Sequence, residues 1–301
     1  MTTDFTAHLN DALWKDLERR LGTSDLVEWL EKEAQRVANL GRKRSGQIDV
    51  SSPELLRDRG IGKLRAMPYI PALATIHSRG GVYEIRYAPY QRPEDTRFGI
   101  AHELAHTFWF SRTHPGEPLS PLQRALGDDP TIEWLCNRGG AAILLPREDV
   151  MASLGDGPPA LHLIPHLSKH YVVPERLVAR RLFQEFSCTR VSIVGISLKT
   201  LGSSQAGTVA WLAPFQRNGR RSKSATGRAV PADMIPQIPL GSTHELEVDG
   251  RWLLLEEGTA AAGRARPLHL YAERPECRAW VCRTVDTLYL AIPKEGASAA
   301  R

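Results

Sequence analysis

The sequence contains two histidines whose spacing suits a bound metal ion. Within residues 98–110, His102, Glu103 and His106 form the pattern His-Glu-x-x-His. Residues four apart on an α-helix project from the same face, so both imidazoles can reach one ion. Glu103 follows one step round the helix, where it can take a proton from water without being a ligand itself. This combination of residue types and spacing is typical of a zinc hydrolase.

The residues around the motif favour a helix. Ile100, Leu104 and Phe108 follow the helical period, and neither Pro nor Gly occurs between Ala101 and Arg112. We therefore predict a helix through the motif, with the histidines facing a cleft. Because the five-residue pattern also arises by chance, the assignment needs a third ligand.

A third ligand can be nominated on a second predicted helix, residues 131–145, which ends before Pro146. Catalytic zinc sites use three protein ligands and leave one position for water, and two His with one Glu is a standard set. Glu133 is the best candidate. Asp128 and Asp129 compete with it, although Asp-Asp-Pro is typical of a turn and a helix cap. A solvated acid at a helix N-terminus is the alternative interpretation of Glu133.

The two motifs together resemble the ImmA/IrrE metallopeptidases over residues 50–186. In that family a helix of pattern E-x-x-A-N-x-F-A-A-x-L-L-M-P follows the His-Glu-x-x-His helix, and its Glu is the third zinc ligand. The resemblance therefore assigns the ligand roles to His102, His106 and Glu133, and the general base to Glu103. Three departures from the pattern concern the packing of the second helix more than the chemistry: Cys136 for Ala, Gly139 for Phe and Leu145 for Met.

The resemblance implies a zinc-dependent endopeptidase with a zincin-like core. Zinc is the expected cofactor, with manganese as an alternative in the cell. The implied partner is a protein substrate, a helix-turn-helix transcriptional repressor whose cleavage induces stress-response, mobile-element or defence genes. A DNA-binding regulator with a structural or sensing metal site is the competing interpretation. An interaction protein with a degenerate zinc site is a third.

Composition favours a soluble cytoplasmic protein. The 301 residues are 42% hydrophobic and 24% charged, which is ordinary for globular domains. The first residues lack the basic and apolar regions of a signal peptide, and no apolar run is long enough to span a membrane. The four cysteines form no Cys-x-x-Cys pair, so we expect them to be reduced.

The net charge of +5 permits an anionic partner without requiring one. Basic runs at 42–44 and 217–223 lie in predicted loops, without the interleaved aromatic residues that stack bases. We therefore do not favour nucleic acid as a partner.

Hydrophobic periodicity predicts an α+β protein with four segments. These are N-terminal helices (1–48), the zinc peptidase core (49–160), helices (161–187) that resemble the helix-turn-helix-like piece of the same family, and a β-rich domain (188–301). The resemblance makes the last segment a GAF-like sensory domain or a substrate-binding domain. Helices are predicted at 12–21, 25–40, 52–59, 161–170 and 175–186. Strands are predicted at 72–79, 82–87, 190–200, 208–214, 244–248, 251–256, 268–272, 278–285 and 287–292.

Two turns and one loop complete the prediction. Gly80-Gly81 and Asp249-Gly250 are typical of two-residue hairpin turns. The hairpin at Gly80 either aligns an extended peptide along its edge strand or simply covers the metal helix. Residues 111–130 read as a long loop at the mouth of the site. His114, Arg97 and Tyr171 are weak candidates for stabilising an oxyanion.

Overall fold

The structure is a computed structural model of the chain, and its described residues form two compact units. The helical unit consists of Thr6–Ala152 with Leu167–Pro174, and the sheet unit of the chain from Glu175 onward with Ser153–His166. The described residues are 10–111, 116–126, 129–153, 161–182, 191–201, 204–213, 229–230, 240, 243–248, 277–283 and 287–293.

The described helices agree in place with most of the predicted ones. They are α1 (Asp11–Leu21), α2 (Leu26–Gly41), α3 (Pro53–Asp58), α4 (Pro93–His106), α5 (Pro121–Leu126), α6 (Pro130–Leu144), α7 (Arg147–Ser153), α8 (Leu163–Tyr171) and α9 (Glu175–Ala179). None of them is long and apolar enough to cross a membrane.

The N-terminal helices α1 and α2 form where an amphipathic sequence follows a residue that caps the helix N-terminus. The side chain of Asn10 accepts a hydrogen bond from the Leu13 N–H at the start of α1, and Asp25 accepts one from Glu28 at the start of α2. Apolar residues at helical spacing, such as Leu17 and Leu30, are fully buried. The helices predicted at 12–21 and 25–40 are thus confirmed.

A three-stranded sheet lies beside α4 in the helical unit. Its strands are β1 (Ile61–Ala66), β2 (Ala74–Arg79) and β3 (Val82–Tyr87), in the order β1-β3-β2. The predicted hairpin is confirmed, and Gly80 and Gly81 both have positive φ, as its two-residue turn requires. Strand β1, parallel to β3, was not predicted, because only Ile61 in it is buried, so the segment lacks the alternation that marks a strand.

The pairing pattern turns the backbone groups of every second residue of β2 away from β3. The Ala88 N–H donates to the carbonyl of Leu73, and Thr75 and His77 follow Leu73 at two-residue steps. These odd-numbered residues therefore exchange their hydrogen bonds with β3. Ala74 and Ile76 direct their backbone groups to the other side of β2, where no strand among the described residues pairs with it.

The sheet unit contains a six-stranded antiparallel sheet in the order β6-β5-β4-β9-β8-β7. Ile196, Leu198, Leu288 and Tyr289 are buried, and the Tyr289 hydroxyl donates to Glu175 of α9 at 2.7 Å. The strands are β4 (Val191–Leu201), β5 (Ser204–Ala213), β6 (Ala229–Val230), β7 (Thr243–Val248), β8 (Cys277–Arg283) and β9 (Thr287–Pro293).

Several predictions for the C-terminal part fall outside the described residues. These are the strands at 251–256 and 268–272 and the turn at Asp249-Gly250. The fold class is mixed α+β. A GAF-like character of the C-terminal domain and the four domain boundaries stay predictions.

One local prediction needs correction. The segment 111–130 is not one loop, because Ser120 and Pro121 begin the short helix α5, where the Ser120 hydroxyl accepts from the Gln123 N–H. The predicted helix at 175–186 is α-helical to Ala179 and continues as a π-helix over 180–182, and residues 183–186 lie outside the described part. Arg181 in this segment is fully buried, which fits a packing role better than contact with DNA.

Candidate metal centre

Helix α4 carries the His-Glu-x-x-His motif and packs against β2 on one side. It begins at Pro93, which fixes a helical φ and needs no hydrogen-bond acceptor for a backbone N–H. A Cβ on Gly99 would lie 2.8 Å from Cβ of Leu73 and 3.4 Å from that of Ala74. The absence of a side chain at Gly99 therefore lets α4 approach the residues at the start of β2.

The α-helix ends earlier than the sequence predicted. It stops at His106 and continues as a 3-10 helix over Thr107–Trp109. The Thr107 hydroxyl donates to the Leu104 carbonyl at 2.6 Å, and the Thr107 carbonyl accepts from Arg59 at 2.8 Å. Side chains thus occupy two carbonyls that a longer α-helix would use for its own hydrogen bonds.

Helix α6 lies directly against the backbone of α4. Asp129 caps α6 by accepting a hydrogen bond from the Thr131 N–H at 2.7 Å. A Cβ on Gly140 would lie 2.8 Å from the backbone N and 2.9 Å from Cα of His102. Only a glycine allows this separation of the two helices, and the close approach brings the start of α6 to the histidines.

The structure places both histidines and Glu133 around one point. Nε2 of His102 and Nε2 of His106 are 3.1 Å apart. The Glu133 carboxylate reaches both rings, with Oε2 3.4 Å from His102 Nε2 and Oε1 3.4 Å from His106 Nε2. The neighbouring imidazoles hold the pKa of Glu133 below its usual value, His102 having the largest effect. Glu133 is therefore a charged carboxylate at neutral pH.

These separations fit a small tetrahedral ion. Ligand atoms about 2.0–2.2 Å from a tetrahedral zinc lie about 3.3–3.6 Å from one another. The three measured separations of 3.1, 3.4 and 3.4 Å are close to that range. Two imidazole nitrogens and one carboxylate oxygen are also a donor set that zinc accepts. The residues present therefore fit a zinc ion.

Glu103 occupies a different environment from Glu133. Its metal-binding atom lies within 4.8 Å of those of His102 and His106, so it is the other carboxylate at the site. Glu103 is 8% exposed, whereas the side chain of Glu133 is 51% exposed. Burial, more than any other cause, raises the pKa of Glu103 to about 7, with a smaller increase from the Glu133 charge. The Ile76 backbone N–H, which points away from β3, donates to this carboxylate.

Their surroundings suit the carboxylates of Glu133 and Glu103 to different roles. Glu133 contacts both imidazoles and is ionised, as a metal ligand must be. Glu103 is buried, and its pKa near neutrality is what a general base or acid requires. Of the competing acids, Asp129 is used as the cap of α6, and Asp128 lies outside the described residues.

Two of the three weaker candidates, Arg97 and Tyr171, lie in the described part of the chain. Arg97 donates to the backbone carbonyls of Ile48 and Tyr171, so its guanidinium is used to join segments of the helical unit. Burial, followed by the charge and hydrogen bond of Asp149, raises the pKa of Tyr171 to about 12. His114 lies outside the described residues.

Cys136, one turn after Glu133, is fully buried. Burial and the nearby carboxylates of Glu133 and Glu103 raise the pKa of its thiol well above the usual value. The thiol is therefore neutral and unsuited to bind a metal, which requires a thiolate.

Residues 67–183 match the family model Peptidase_M78, the IrrE N-terminal-like domain. This confirms the resemblance inferred from the sequence motifs. The matched segment, called the IrrE-like segment below, contains β2, β3, α4 and α6, and thus all four residues of the candidate centre. The match and the motif together support a metallopeptidase of this type.

Among solved structures, the chain is similar to a Mycobacterium tuberculosis transcriptional regulator. The two are 18% identical, the comparison covers 88% of this chain and 76% of that one, and the TM-score is 0.41. No curated protein matches the chain.

Sequence reasoning missed three features of the centre. Gly140 sets the helix separation, the Ile76 N–H binds Glu103, and Arg59 binds the end of α4. The close approach at Gly140 could have been predicted, since a Gly-Gly pair inside a predicted helix often marks close packing. The other two are contacts between segments distant in sequence, and no local pattern reveals them.

Proposed function

We propose that this protein is a zinc-dependent endopeptidase with a zincin-like catalytic core. His102, His106 and Glu133 would hold the zinc, and Glu103 would act as the general base. The observation that carries this proposal is the spacing of the two imidazole nitrogens and the Glu133 carboxylate oxygens, which is close to the edge length of a tetrahedral zinc site. The family match to the IrrE-like segment supports the peptidase class.

Zinc, when bound, acidifies water and polarises the peptide carbonyl. Glu103 is positioned to take the proton of the attacking water and to pass it to the leaving amine. Its burial and its hydrogen bond from Ile76 hold it at the edge of β2.

We further propose that the substrate is a helix-turn-helix transcriptional repressor, whose cleavage induces stress-response, mobile-element or defence genes. The support is the family match, since the described residues contain no feature that names the substrate. Manganese is an alternative metal in the cell, because two imidazoles and a carboxylate also bind it.

The test is cleavage of the repressor encoded next to the gene, with and without added Zn²⁺ or Mn²⁺. Wild-type protein should yield discrete fragments, and a chelator should prevent them. Glu103→Gln should abolish cleavage while the protein still binds zinc, because the amide cannot accept the proton. The matched control is Glu148→Gln, since Glu148 is an exposed acid in α7.

The outcomes separate the proposal from its competitor. Wild-type cleavage by Glu103→Gln would contradict the assignment of the general base. A protein that binds zinc, binds operator DNA with steep salt dependence and cleaves nothing would instead be a regulator with a structural metal.

A further inference from the structure

A buried guanidinium holds the end of the metal-binding helix. Arg59 follows α3, and its side chain is only 3% exposed. Its Nε donates to Oγ1 of Thr107 and its Nη2 to the carbonyl of Thr107, both at 2.8 Å. Thr107 is the residue directly after His106. One side chain from a distant segment thus binds two atoms next to a candidate zinc ligand.

The charge of Arg59 is balanced by groups outside the metal centre. Its Nη1 donates to Oε1 of Glu33 at 2.8 Å, and Oδ2 of Asp58 lies 3.8 Å away. The guanidinium carbon also lies 4.8 Å from the centre of the Phe108 ring. Paired in this way, a buried guanidinium avoids the large cost of an isolated charge.

The position of this contact matters for His106. Helix ends fray, because their last carbonyls have no partners within the helix. His106 is the last residue of α4, whereas His102 is a full turn inside it. The Thr107 hydroxyl, which accepts from Arg59, donates to the carbonyl of Leu104, so the same contact fixes the final turn. A cation at a helix C-terminus is also favoured by the helix dipole.

We propose that Arg59 is a positioning residue that holds His106 at the separation from His102 that zinc binding requires. The inference rests on the proposed function in one respect, namely that these histidines bind zinc. Arg59 donates to the hydroxyl and the carbonyl of Thr107, so it acts on His106 through that residue. Its removal should therefore weaken zinc binding by allowing the last turn of α4 to fray.

The test measures the zinc dissociation constant by competition with a chromophoric chelator, together with the free energy of unfolding of the metal-free protein. Arg59→Met should weaken zinc binding roughly 10- to 100-fold, the usual effect of losing a group that orients a ligand. Arg59→Lys should recover part of the affinity, because an ammonium can still donate to the Thr107 carbonyl. Arg59→Met should still fold, since Glu33 keeps Arg36 as a partner.

Two controls separate positioning from general stability. Arg36→Ala removes a cation from the same charged group without touching Thr107, and Val150→Ala removes buried apolar atoms from α7. Both should lower stability and leave zinc affinity unchanged. Thr107→Val removes the hydroxyl that Arg59 contacts, so it should weaken zinc binding with Arg59 intact, even if the Arg59 variants fail to fold.

The result that would overturn the inference is a zinc affinity in Arg59→Met and Thr107→Val equal to that of the wild type. Equal losses of affinity in the Arg59 variants and in Val150→Ala would also overturn it, because stability alone would then explain the effect. Failure of the wild-type protein to bind zinc is a distinct result, which would contradict the proposed function instead.

Discussion

Two groups of charged side chains in the helical unit show how a structural network differs from a candidate site. The arginine cluster consists of Arg36, Arg59, Glu33 and Asp58, and the histidine cluster of His102, His106, Glu103 and Glu133. In the arginine cluster Arg36 donates to Asp58 at 2.6 and 2.9 Å and to Glu33 at 2.9 and 3.0 Å. These are the lengths of charge-assisted hydrogen bonds, so donors and acceptors are matched within the cluster.

The histidine cluster has a different geometry. The ring nitrogens of His102 and His106 and the carboxylate oxygens of Glu133 are separated by 3.1 to 3.4 Å. The cluster contains imidazoles and carboxylates, which can bind a metal cation, and it contains no arginine or lysine. The comparison teaches that spacing, and not the mere presence of acids and bases, distinguishes a candidate metal site from side chains that pair with one another.

The largest effect should come from removing the charge of Glu133, the proposed third ligand. Glu133→Gln replaces an ionised carboxylate with a neutral amide of the same size, so zinc affinity should fall by more than the roughly 10- to 100-fold typical of losing a group that only orients a ligand. Competition titration with a chromophoric chelator measures this. If Glu133→Gln bound zinc with wild-type affinity, Glu133 would be only an ion-pair partner of the histidines, and the contrast between the two clusters would be wrong.

The second largest effect should come from disturbing the contact between α4 and α6, which brings Glu133 to the histidines. Gly140→Ala places a Cβ against the His102 backbone; overpacking of this kind costs about 1–3 kcal/mol, offset by about 1 kcal/mol of helix propensity. Because the helices must separate, zinc affinity should also fall. Chemical denaturation measures the change in the free energy of unfolding, and zinc titration measures the change in affinity.

Gly139→Ala is the matched control for that prediction. Its Cβ would meet side-chain atoms of Ala105 and Leu30 at 2.9 and 3.1 Å, and not the backbone of a histidine. We expect a similar change in stability with a smaller change in zinc affinity. Equal losses of affinity in the two variants would show that the separation at His102 has no special importance.

A smaller effect is expected in the arginine cluster. Arg36 is 40% exposed, and exposed ion pairs contribute about 0.2–1 kcal/mol because water and salt screen them. Asp58→Asn should therefore change the free energy of unfolding by less than about 1 kcal/mol, less still at high salt, without changing zinc affinity. Thermal unfolding at two salt concentrations measures this, and a large loss at both would contradict the comparison.

The smallest effect is a pH dependence from another paired carboxylate, Asp16 of α1. Its hydrogen bonds from Ser120, Arg20 and Arg19 lower its pKa to about 2. The unfolded state then binds more protons than the folded state at pH values between about 2 and 4, so stability falls as the pH falls through this window and is fully present above it. Unfolding of wild-type protein and Asp16→Asn across this range checks the sign. If the free energy of unfolding of the variant changed with pH as steeply as that of the wild type, Asp16 would not be the cause of the pH dependence.

Local sequence signals predicted much of the helical unit. Caps such as Asp25 and Asp129, the Gly80-Gly81 turn and the helical period around Leu104 act over a few residues, so they can be read without knowing the fold. The length of α4 could not be predicted in this way. It ends at His106 because Thr107 is bound by Arg59, a residue 48 positions earlier in the chain. Strand β1 was missed for a related reason, since its parallel pairing with β3 is not a local property.

The same distinction holds for the candidate site. The sequence by itself determined that His102 and His106 share a helix face, because four residues make about one turn, and its motifs nominated Glu133 as their partner. Only the tertiary structure decided that Glu133 reaches both rings, through the packing of α6 at Gly140. It also decided that Glu103 is buried beside Ile76 with a raised pKa. The distances between segments and the burial of side chains depend on how helices and strands pack together. That packing cannot be derived from the spacing of residues along the chain.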